Sequence, residues 1–223
     1  MTTLYVVTVF VGPDGRGGNP LGVFLDAAGV PTERRQQVAA DLGYSETVFV
    51  TDQANAQLAI HTPAVELPLA GHPLVGTSWL LAKQGLGVSV LRPPAGDVPT
   101  WTADGLTWIR ADPDKAPDFE LRQLSSPAEV DAHPGAGPDE QLQVWAWEDE
   151  PGGRVRARVF PTAMGIVEDE ATGAAALRLG ARLGRPVVIR QGIGSRINVR
   201  PGPLGMVEIG GVVDSVETRE YSL

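Results

Sequence analysis

Glu66-Leu67-Pro68-Leu69-Ala70-Gly71-His72 and, 102 positions later, Glu168-Asp169-Glu170-Ala171-Thr172-Gly173-Ala174 are the two stretches that decide the fold. Each carries a glutamate and, five residues on, a glycine that opens a long apolar run. Gly71 to Gly85 is apolar nearly all round, with Leu74, Val75, Trp79, Leu80 and Leu81, which predicts a buried helix. Gly173 to Leu183 is its alanine- and leucine-rich counterpart. Only a few positions coincide, so the repeat is weak, yet it suggests two similar lobes, each with one helix wrapped by strands.

Outward from these helices the chain reads mostly as strands. Leu4 to Phe10, Leu21 to Leu25, Thr47 to Thr51 and Ala56 to His61 are β-branched or alternating before the first buried helix. Pro31 to Leu42 is predicted helical, with Thr32 as its N-cap. Beyond it, Val88 to Arg92, Trp101 to Ala103 and Leu106 to Arg110 read as strands, with a hairpin at Ala103-Asp104-Gly105. Asp112 to Gln141 reads as a polar connector with a weak helix from Ser126 to Ala132. Strands are expected at Gln143 to Glu148, Arg154 to Phe160, Val187 to Gln191, Arg196 to Arg200 and Met206 to Val213. The expectation is an α+β protein with lobes at 1–99 and 100–223, the final strand returning to the first lobe.

Composition removes several functions. The 223 residues carry a net charge of −9, which disfavours a phosphate backbone or an anionic membrane surface as partner. With no cysteine there is no disulfide, thiolate metal site or thiol nucleophile. Three dispersed histidines do not suggest zinc, so no metal and no cofactor are expected. No apolar stretch approaches the length of a membrane span, and a cytoplasmic protein is the default expectation. Neither a nucleotide-binding glycine fingerprint nor a nucleophile elbow is present.

What remains is ionisable chemistry at element ends. A cleft between lobes would be lined by two helix starts, whose free amides and positive dipole ends hold a carboxylate without lysine or arginine. Three groups stand near such ends. Glu46 precedes a strand, between Ser45 and Thr47, whose hydroxyls can bond a carboxylate or ligand; it also fits a solvated strand edge. His72 opens a helix, where it also fits a simple hydrogen-bonding role. Asp169 lies in an acidic run where it also fits plain stabilisation of a helix start. His61 and His133 read as structural or exposed.

In order along the chain, Gly18-Asn19-Pro20, Ser45-Glu46-Thr47-Val48-Phe49-Val50, Glu66 with Ala70-Gly71-His72-Pro73, Glu168-Asp169 with Ala171-Thr172-Gly173, and Gln191-Gly192 resemble the signature of the PhzF family. The resemblance implies a diaminopimelate-epimerase-like fold: two pseudo-symmetric lobes, each a curved, mostly antiparallel sheet around a central helix, often as a homodimer. It implies a cofactor-independent isomerase of the phenazine (antibiotic) biosynthesis type, acting on a small unsaturated acid such as trans-2,3-dihydro-3-hydroxyanthranilate. The family's catalytic glutamate falls on Glu46, its glycine-flanked histidine on His72 and its aspartate on Asp169. Asn19, Ser45, Gly71, Pro73, Gly173 and Ala174 would then bind substrate. Related racemases use a cysteine pair where this chain has Ala70 and Thr172. The family usually has serine at Ala174, and this chain is short in its second lobe.

Overall fold

A computed structural model describes residues 1–222. The first half contains strands β1 (Thr2–Val11), β2 (Asn19–Phe24), β3 (Glu46–Asp52), β4 (Gln57–His61), β5 (Glu66–Leu67), β6 (Val90–Leu91), β7 (Val98–Ala103) and β8 (Leu106–Ala111). Helix α1 (Thr32–Leu42) links β2 to β3, and α2 (Gly71–Lys83) links β5 to β6. The second half contains β9 (Glu120–Gln123), α3 (Pro127–Asp131), β10 (Gln141–Asp149), β11 (Arg154–Pro161), α4 (Gly173–Leu183), β12 (Val187–Gln191), β13 (Ser195–Pro201) and β14 (Val207–Tyr221).

The repeat suspected from two short stretches is carried by the connectivity. In the first half β2 and β3 run parallel, joined by α1; in the second β9 and β10 run parallel, joined by α3. Antiparallel neighbours follow in each half, β3 with β4 and β10 with β11. A buried helix comes next, and the strand beyond it returns parallel to the one before: Gln57 bridges Arg92, and β11 pairs with β12. Most other pairings are antiparallel. The chain is thus a two-lobed α+β protein with a large curved sheet and one buried helix in each lobe.

β14 joins the halves. Its first residues pair with β8 and β13, and its later ones, Val212 to Tyr221, pair along β1. The division expected at 99/100 would cut β7. Both β7 and β8 pack on α2, so the first half extends to Ala111. The predicted hairpin is present: Asp104 and Gly105 both have positive φ, as a tight two-residue connection requires. Thr32 is not the N-cap of α1. Pro31 occupies that position and no side chain caps the helix, because Pro31's fixed φ already sets the entry.

Candidate active site

Both lobe helices start with a glycine, and the two starts meet. A Cβ on Gly173 would lie 2.5 Å from the His72 nitrogen, and one on Gly71 would lie 3.0 Å from Gly173 Cα. Any side chain here would force the helix starts apart. Neither is capped by a side chain, since Ala70 has none to offer and Thr172 turns its hydroxyl to Asp169 instead. Two positive dipole ends therefore converge on one point and favour negative charge there.

Two carboxyl groups answer that field, one from each lobe. Glu46 starts β3 and is buried; its Oε2 lies 2.9 Å from His72 Nδ1. His72 is 1% exposed, and among the described residues its Nε2 has no partner. Asp169 is held at the edge of β11, where its N–H donates to the Val159 carbonyl at 3.0 Å. Its Oδ1 accepts from Asn19 Nδ2 at 2.7 Å and its Oδ2 from the Thr172 hydroxyl at 2.6 Å. Burial and, next, the charge of Glu46 raise the Asp169 pKa to about 7, against the opposing pull of Thr172, His72 and Asn19.

Glu46, Gly71, His72, Asp169, Gly173 and Ala174 all line one narrow cleft between the lobes. Its free volume is only about 10 Å3, room for no more than about one water. A wider, open hollow of about 340 Å3, lined by Tyr44 and Ser45 among others, adjoins it at Asp169 and Ile166. Asn19 and Ser45 line that outer hollow, not the inner cleft, and are linked by a 3.0 Å hydrogen bond from Ser45 Oγ to Asn19 Oδ1. Pro73 is buried in the first turn of α2 and is not among the cleft residues; lacking an N–H, it has nothing to donate to a ligand.

The apolar walls leave little trace in the sequence pattern. Phe119 and Pro117 come from the stretch expected to be a polar connector, and Met164 and Ile166 from the loop after β11. Phe119, the one aromatic residue between Asp112 and Gln141 apart from a histidine, was the available signal. His61 is tied to Gln36 at 3.1 Å and packs on Phe49; neither His61 nor His133 lines the cleft.

A family model described as phenazine biosynthesis-like protein (PhzC-PhzF) matches residues 9–143. The trans-2,3-dihydro-3-hydroxyanthranilate isomerase of Pseudomonas fluorescens is 31% identical, over 79% of this chain and 81% of its own. The protein of the same name from Pseudomonas chlororaphis is 33% identical, over 86% and 82% respectively. Among solved structures, a PhzF-family phenazine biosynthesis protein from Bacillus anthracis superposes with a TM-score of 0.75 at 20% identity, covering 100% of this chain and 99% of the other. A probable proline racemase from Agrobacterium radiobacter shares the fold more distantly, with a TM-score of 0.65 at 12% identity, covering 100% and 93%.

Proposed function

Because this chain is an isomerase belonging to the phenazine biosynthesis-like PhzC-PhzF family, we propose that it moves a proton within a small unsaturated acid of the trans-2,3-dihydro-3-hydroxyanthranilate kind. The supporting observation is the pair of buried carboxyl groups, Glu46 and Asp169, brought to one cleft by different lobes.

The two carboxyls differ in environment, and environment assigns their roles. Glu46, bonded to His72 Nδ1, acts as the base. It removes a proton from carbon beside the unsaturated system; the C–H electron pair moves into conjugation, and the Glu46 carboxyl, after exchange with water, returns a proton at the far end. Substrate and product hold the same atoms, so no oxidant or cofactor enters the balance. Asp169, protonated near neutrality, gives a hydrogen bond to a substrate heteroatom and polarises the path. The unpartnered His72 Nε2 offers a second polar contact. The amides at the two helix starts hold the substrate carboxylate. A ring-sized acid needs more room than the cleft gives, so the lobes part on binding.

The test is proton exchange. With trans-2,3-dihydro-3-hydroxyanthranilate in deuterated water, the wild type should convert substrate, with label entering at carbon, and Glu46→Gln should do neither at more than about a hundredth of the rate. Full turnover by Glu46→Gln would remove the assignment. Ala174 favours a second substrate choice within the same chemistry. It removes a hydroxyl donor from the α4 start, which suits double-bond isomerisation or cyclisation of a related acid with one polar substituent fewer. A cleft that binds such acids but exchanges no proton would identify a binding protein instead.

A further inference from the structure

The two oxygens of Asp169 are approached by donors whose direction the main chain dictates. Gln191, buried at the end of β12, has Oε1 3.2 Å from the Thr172 N–H, a group that can only donate. Its Nε2 lies 2.8 Å from the Asp169 carbonyl oxygen, a group that can only accept. The amide therefore has a single workable orientation. Nε2 also lies 2.9 Å from Thr172 Oγ1 and donates its remaining hydrogen to it. That hydroxyl, already an acceptor, sends its own hydrogen to its other partner, Asp169 Oδ2, at 2.6 Å.

The opposite side follows the same logic. Asn19 Nδ2 donates to the Ala171 carbonyl at 3.1 Å, which fixes the amide, and its other hydrogen reaches Asp169 Oδ1 at 2.7 Å. Asn19 Oδ1 accepts from Ser45, so this amide too cannot turn over. Each Asp169 oxygen thus receives a hydrogen on its protein side. The charged or titratable groups facing it are Glu46 from β3 and His72 from α2, while the adjacent Glu170 is turned away to Ile193 and Ser195.

We infer that Gln191 is a positioning residue: by holding the Thr172 hydroxyl as a donor toward Asp169, it leaves the exchangeable proton of Asp169 only the cleft-facing lone pairs, where a substrate heteroatom would lie. Gln191 touches neither the cleft nor a reacting atom; it acts through Thr172. Without it, the Thr172 hydroxyl can reverse and accept from a protonated Asp169, which sequesters the proton on the wrong side and favours the neutral acid. The inference rests on the acid role proposed for Asp169, but its test needs no turnover and so can fail separately from that role.

The experiment is a titration of the Asp169 side-chain carboxyl by 13C NMR in protein labelled at aspartate. Thr172→Val removes the donor and should raise the Asp169 midpoint by about one to two pH units. Gln191→Met, close in shape but without the amide, should raise it by about one unit. Thr172→Ser should restore the wild-type midpoint. In Thr172→Val, adding Gln191→Met should change nothing further, because the group it acts through is gone. If Gln191→Met does not fold, Gln191→Asn, whose amide falls one methylene short of Thr172 Oγ1, carries the same expectation. A midpoint unmoved by the Gln191 substitution, or moved equally with and without the Thr172 hydroxyl, overturns the inference.

Discussion

Gly71 and Gly173 are in backbone contact: a Cβ on Gly173 would lie 2.7 Å from Gly71 Cα and from its carbonyl carbon. The obstruction is main chain, so no rotamer change relieves it. Gly173→Ala is expected to cost about 1–3 kcal/mol of stability by overpacking. It should also lower turnover by about 10²-fold, because it displaces both helix starts from the cleft. Gly87→Ala is the control. Its added methyl meets nothing closer than 4.0 Å and should leave unfolding temperature and rate near wild type.

Asp169 ties stability to pH in an unusual direction. Its folded-state pKa is raised to about 7 from 3.8, so between those values the folded protein binds a proton that the unfolded chain releases. This contribution is fully present below about pH 4 and is lost as pH rises through about 7. The span corresponds to as much as ~4 kcal/mol. Denaturant midpoints measured from pH 4 to 8 should therefore show a downward slope with pH in the wild type that is absent in Asp169→Asn.

His72 holds Glu46 through Nδ1 at 2.9 Å. His72→Phe keeps the ring volume but leaves the Glu46 carboxylate without that partner. The expected result is a kcat lowered by about 10²-fold with a smaller effect on substrate binding, seen as a split between kcat and KM. A variant that raised KM alone would place His72 in binding only.

Ala174 stands in the first turn of α4 and lines the cleft. Ala174→Ser adds a hydroxyl where the proposed carboxylate would sit. The expectation is an affinity for a cyclic unsaturated acid improved by about tenfold, within the range of one added bond to a charged group. Thermal unfolding should stay near wild type. Calorimetry with 3-hydroxyanthranilate, an aromatic acid unable to isomerise, reads the affinity without turnover.

The repeat of glycine-led apolar helices was visible because burial on all sides leaves a nearly continuous hydrophobic run, and the order of short motifs led to Glu46, His72 and Asp169. Other parts were hidden for physical reasons. Glu120–Gln123 is an edge strand exposed along much of its length, so its sequence lacks apolar alternation and reads as a connector. The end of β14 beyond Val213 is polar for the same reason: Asp214 to Glu220 are all exposed. Phe119 reaches the cleft from a stretch rich in polar, exposed residues, which hides it in the sequence pattern. Gln191 stands out in the sequence only as part of a short motif, because its effect lies in which atom donates and which accepts, and composition does not carry that information.

The pairing of Thr2 with Tyr221 has a consequence for synthesis. In chain order β1 comes long before β14, so during synthesis it waits for a partner made much later. Until then β1 has a neighbour on one side only, β2, and the first lobe presents an open hydrogen-bonding edge. Such sequence-distant closure is slow and exposes nascent chains to mispairing. In this molecule the first lobe closes only once β14 is available to it.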